Sequence, residues 1–76
     1  MDTVAAVLGR VLASKRKQAG LTQEALAYQC KLHPTYVSQL ERGLKSPTVR
    51  VLTLVAGAVG VRASEILREA EELVQS

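Results

Sequence analysis

The stretch LTQEALAYQCKLHPTYVSQLERG, residues 21–43, sets two short amphipathic patterns only a few residues apart. Its apolar residues recur at helical spacing: Leu26, Ala27 and Cys30 in the first pattern, Val37 and Leu40 with Tyr36 in the second. The starts and stops are written in as well. Thr22 offers a hydroxyl to cap free backbone N–H groups, and Leu21 and Leu26 flank it as a hydrophobic staple. Pro34 suits a first helical position, where its missing N–H is no loss, and Gly43 supplies a stop. Two helices of about nine residues, joined by the turn KLH, constrain the chain strongly: one braces the other.

The rest of the sequence continues the helical pattern. A first helix is expected from about Thr3 to Ala19, apolar at positions 4, 7, 8, 11 and 12 and stopped by Gly20. After the turn LKSP, a fourth runs from about Thr48 to Val59 and ends at Gly60; a fifth covers Ala63 to Gln75. No segment shows the period-two alternation of a strand, so the 76 residues are expected to form one all-α domain of five helices, residues 1–76. A chain this short buries only about 60–65% of its unfolded surface, so a further partner surface would help it.

Several function classes are disfavoured. No apolar run reaches the roughly 18 residues of a membrane span, and the N-terminus MDTVAAVLGR lacks the pattern of a secretion signal. The single cysteine, Cys30, has no disulfide partner within the chain, and no cysteine or histidine pair has metal-ligand spacing. A cytoplasmic protein without a cofactor is expected. An enzyme is the least expected class: His33, the one histidine, has no nucleophile motif beside it, and no glycine-rich loop cradles a phosphate.

Charge is distributed unevenly. Residues 1–50 carry eight basic side chains (Arg10, Lys15, Arg16, Lys17, Lys31, Arg42, Lys45, Arg50) against Asp2, Glu24 and Glu41, a balance of +5. Residues 51–76 carry Arg62 and Arg68 against four glutamates, a balance of −2. Basic residues gathered toward one end suit a polyanion partner there, although ordinary solvated charge gives the same asymmetry.

The outer face of the third helix is more specific. Thr35, Ser38, Gln39 and Arg42 share one side, opposite Val37 and Leu40. These groups suit base edges in a major groove: Gln pairs with adenine, Arg with guanine, and Ser or Thr adapts to either. Such a groove, about 12 Å wide, admits one helix if another element holds it at the right angle. On its own, a polar face also fits plain solvent exposure.

The segments SKRKQAGLTQEALA and LHPTYVSQLERG together resemble the helix-turn-helix of the XRE/Cro family of bacterial and phage regulators, over about residues 8–67. The motifs are G-L-T-Q-E-x-L-A at 20–27, Y-V-S-x-L-E-R-G at 36–43, Pro47-Thr48 and the Gly60-Val61 turn. The LAY and TYVS elements are similar, more loosely, to controller proteins of restriction–modification systems. The resemblance implies a lambda-repressor-like DNA-binding domain whose helix-turn-helix is formed by helices two and three. It adds Pro34 to Thr35, Ser38, Gln39 and Arg42 as residues implied to touch bases. It implies phosphate contacts for Gln23, and for Lys45 and Arg50 around the turn after helix three; Thr22, His33 and Tyr36 are further candidates for the phosphate backbone. Arg16 and Glu41 match an internal ion pair of the family.

Departures from the family pattern are visible. Pro34 stands where relatives often donate hydrogen bonds, leaving only apolar contact, such as to a thymine methyl. Lys31 replaces a glycine, so a left-handed turn there costs about 1 kcal/mol. His33 replaces a serine or threonine cap; it is open to capping helix three, touching a phosphate, or serving as a plain turn residue. Lys15 and Lys17 are basic but have no assigned direction.

Helix four is oilier than one buried face requires. Val49, Leu52, Val55, Ala56 and Val59 are expected to form its core stripe, leaving Val51, Leu54 and Ala58 as a second stripe. With Ile66, Leu67, Ala70, Leu73 and Val74 of helix five, that stripe is expected to build a two-fold dimer interface within residues 48–76. A competing arrangement folds helix five onto Val4, Val7 and Val11 of the same chain.

The expected function is sequence-specific regulation of transcription: a homodimer on a near-palindromic double-stranded DNA operator, acting as a repressor or autoregulatory controller, by blocking RNA polymerase or by helping recruit it. Two alternatives stand beside it: an antitoxin-type autorepressor, and a protein-interaction adaptor that keeps the fold without reading DNA.

Overall fold

In the computed structural model, which describes residues 3–75, every regular element is a helix. They are α1 (Thr3–Gln18), α2 (Gln23–Cys30), α3 (Pro34–Glu41), α4 (Val49–Val59) and α5 (Ala63–Gln75). The architecture is the all-α, five-helix one expected. None of these helices is long and apolar enough to cross a membrane.

Local chemistry sets the boundaries. Thr22 lies outside α2 as its cap, its hydroxyl accepting from the Ala25 N–H at 3.0 Å. Thr48 does the same for α4, accepting from Val51 at 3.1 Å. His33 caps α3: its Nδ1 accepts from the Thr35 N–H at 3.1 Å, and Pro34 follows at the first helical position. The cap, one of the three roles open to this histidine, engages only its Nδ1. Lys31 ends α2 with φ at 57°, the left-handed conformation that a glycine adopts freely.

The core is a single apolar cluster. Leu26 of α2, Val37 of α3, Val55 of α4 and Ile66 of α5 are its most completely enclosed large side chains. Val7, Leu8, Val11 and Leu12 supply the α1 side, in the i, i+1, i+4, i+5 rhythm of a helix face. Helix α5 folds back along α1 within the chain. An ion pair of 2.6 Å between Lys15 Nζ and Glu69 Oε2 pins the two helices and gives Lys15 a direction, toward α5.

Two glycines permit a close approach where α1 crosses the end of α3. A Cβ on Gly9 would collide with the carbonyl oxygen of Leu40 and lie 2.6 Å from that of Glu41. One on Gly43, whose φ of 75° also disfavours side chains, would lie 2.7 Å from the Ala6 Cα. The end of α3 is thus seated against α1 backbone to backbone.

Helix α4 corrects the expected stripes. Val49, expected in the core, is 82% exposed, whereas Val51, expected at a dimer surface, is buried. The buried face is Val51, Leu52, Val55 and Ala56, rotated from the expected one. At about 100° per residue, Val51 lies about 40° around the helix from the enclosed Val55, and Val49 about 120° from it. With apolar residues nearly all round α4, packing against α2 and α5 chose the face. Ile66 and Ala70, also expected at the dimer surface, are buried within the subunit for a related reason: α5 turns them onto the core beside α1.

Candidate nucleic-acid interface

The outer face of α3 stands clear of the core. Pro34, Thr35 and Arg42 are exposed, and Ser38 and Gln39 are half-buried along the same side. Opposite them, Val37 and Leu40 are each 2% exposed. Among the described residues, the side chains of Thr35, Ser38, Gln39 and Arg42 make no hydrogen bond or ion pair within the subunit. Donors and acceptors left open on a rigid helix are available to a ligand with its own polar edge.

An open groove runs beside this face, lined by Arg16, Thr22, Gln23, Glu24, Pro34, Thr35 and Ser38. The start of α2 forms one wall and the start of α3 the other, so the two helices present their leading residues together. Helix α2 offers its first-turn N–H groups there, partly satisfied by the Thr22 cap. The sequence pattern placed α2 beside α3 through the three-residue turn, whereas the approach of the two leading ends comes from the angle between the helices.

Behind the groove lies a polar knot. Arg16 Nε donates to Glu41 Oε2 at 2.7 Å and its Nη2 to Glu41 Oε1 at 3.0 Å, a two-pronged pair joining α1 to the end of α3. Its Nη1 donates to the Leu21 carbonyl oxygen at 2.8 Å, tying in the α1–α2 turn. The side chains are only 11% and 6% exposed, so solvent screens this pair far less than a surface one. The Glu41 hydrogen bond outweighs burial and holds the Arg16 pKa above its ordinary value. Glu41 Oε1 also accepts from Gln23 Nε2 at 2.8 Å. Sequence reasoning missed this last bond, because nothing in the spacing of residues 23 and 41 announces it.

The other expected phosphate-facing residues are distributed as follows. His33, Lys45 and Arg50 are exposed, while Tyr36 is half-buried and packs against the core. Thr22 is exposed, with its hydroxyl engaged as the α2 cap. Of the expected dimer residues, Leu54, Leu67, Leu73 and Val74 are 37%, 44%, 53% and 40% exposed, and Ala58 is half-buried. Cys30, a buried thiol, approaches the Leu54 carbonyl oxygen at 3.6 Å, and burial raises its pKa. No cluster of potential metal ligands occurs among the described residues.

Comparison with known proteins agrees with this geometry. The helix-turn-helix family profile HTH_3 matches residues 12–66, from within α1 to within α5. The chain is 36% identical over 66 residues to the uncharacterized HTH-type transcriptional regulator y4dJ of Sinorhizobium fredii, covering 87% of this chain and 86% of that protein. It is 34% identical over 50 residues to the control protein C.BamHI of Bacillus amyloliquefaciens, covering 66% of this chain and 62% of that protein's length, a little under two thirds. Among solved structures, the clp gene regulator ClgR from Corynebacterium glutamicum superposes with a TM-score of 0.87 at 35% identity, covering 91% of this chain and 73% of ClgR.

Proposed function

The chain belongs to the XRE-type helix-turn-helix family of DNA-binding transcription regulators, and from that premise we propose that α3 enters the major groove of a specific operator. The observation that carries this reading is the α3 face of Thr35, Ser38, Gln39 and Arg42, rigidly backed and without partners in the subunit. Gln39 and Arg42 are the base-reading groups, Thr35 and Ser38 adapt to their neighbours, and Pro34 makes apolar contact at the leading end. Thr22, Gln23, His33, Tyr36, Lys45 and Arg50 hold the phosphate backbone, supplying affinity and salt dependence but no sequence information.

The protein acts as a homodimer on a near-palindrome, with α3 helices about 34 Å apart. Leu54, Ala58, Leu67, Leu73 and Val74 form the interface; Val51, Ile66 and Ala70 support it from inside the subunit. Similarity to a transcriptional regulator and to a control protein favours a repressor or autoregulatory controller over an adaptor that does not read DNA. Selection of bound fragments from a random duplex pool tests all of this at once. A palindromic consensus is expected, whereas recovery of unrelated sequences with little dependence on salt would overturn the reading.

A further inference from the structure

We propose that Glu41 is a positioning residue for DNA binding, acting through the side chain of Gln23; this rests on the assignment of Gln23 to a phosphate. A carboxylate only accepts hydrogen bonds, so the Gln23 group 2.8 Å from Glu41 Oε1 is its –NH2, and the orientation of the carboxamide is fixed by chemistry. One N–H is committed to Glu41 and the other stays available in the groove that Gln23 lines. A phosphate oxygen also only accepts. An unanchored carboxamide would spend part of its time turned over, offering its own oxygen, and would lose binding in proportion.

The anchor is itself rigid. Glu41 sits at the end of α3, clamped at both oxygens by Arg16, which is tied in turn to the Leu21 carbonyl oxygen. A single knot therefore sets the α1–α2 turn, the end of the base-reading helix and the phosphate-facing amide together. The Arg16–Glu41 pair thereby has a role in binding as well as in holding α1 to α3.

The test is a double-mutant cycle on a random-sequence duplex, where phosphate contacts dominate. Replacing both charges at once, Arg16→Met with Glu41→Met, removes the anchor without leaving a buried charge alone. The pair variant and Gln23→Ala should each weaken binding about threefold to tenfold, the size of one hydrogen bond. In the Gln23→Ala background the pair substitution should then cost less than about twofold, as expected of coupled sites. An equal loss in both backgrounds would mean that Glu41 acts only by seating α3, overturning the proposal. So would a pair variant that binds normally while Gln23→Ala binds poorly. If Gln23→Ala itself binds normally, the phosphate assignment fails first and this inference with it. A second readout needs no variant: in the free 15N-labelled protein, the Gln23 side-chain N–H bonded to Glu41 should exchange with solvent more slowly than those of the exposed Gln29. Exchange as fast as that of Gln29 would contradict a fixed carboxamide.

Discussion

Helices α3 and α4 differ in how openly their sequences declare a face. In PTYVSQLE the apolar residues keep to one side, and Val37 and Leu40 are buried as their spacing requires. In VRVLTLVAGAV apolar residues occur nearly all round, and the buried face is the one that α2 and α5 cover. The lesson is physical: hydrophobic contrast fixes the rotation of a helix, and where contrast is lacking, neighbours decide.

The largest expected effect sharpens this contrast directly. Val51→Glu places a charge among apolar neighbours and should cost several kcal/mol, leaving much of so small a domain unfolded. Val49→Glu, two positions away on the exposed side, should change stability by no more than about 0.5 kcal/mol. Urea unfolding of the two variants measures the difference; similar values would mean that the assigned rotation of α4 is wrong.

Much of the fold was legible for the same reason that α3 was. Thr22, Pro34 and Gly43 mark the ends of the helix pair, and their local chemistry works regardless of tertiary context. The placing of α2 beside α3 as its brace followed from the short turn between them. What could not be read depends on placement in space. Gly9 looks like an ordinary weak spot in a helix, and only the packed fold shows that it lets α1 touch the carbonyl oxygens at the end of α3. The Gln23–Glu41 bond joins residues 18 apart in sequence and arises only once Arg16 has fixed the carboxylate between them.

Gly9→Ala gives the next effect in size. The added methyl meets backbone rather than a yielding side chain, so α1 must shift, at a cost of about 1–3 kcal/mol in thermal or chemical unfolding. DNA affinity should fall as well, because the end of α3 moves with it. Unchanged stability would show that α1 and α3 are not held this closely.

Gln39→Ala separates binding from folding. It should lower affinity for the selected operator by about 1–3 kcal/mol, leave random-sequence binding nearly unchanged, and leave the melting temperature alone. Equal losses on both duplexes would move Gln39 from reading bases to holding phosphate.

The smallest effect lies in the turn between the helices. Lys31→Gly relieves a left-handed conformation and should stabilise the domain by up to about 1 kcal/mol, visible as a modest rise in melting temperature. A fall would mean that the lysine makes a contribution larger than its backbone strain.

The central claim is that the outer face of α3 reads the duplex, with α4 reaching it only through Arg50 at its start. Titrating 15N-labelled protein with the selected operator and following backbone amide shifts tests this residue by residue. The largest changes are expected at Thr35, Ser38, Gln39 and Arg42, with Val49 and Thr53 little affected. Changes concentrated on α4 or α5, with the α3 face silent, would contradict the account.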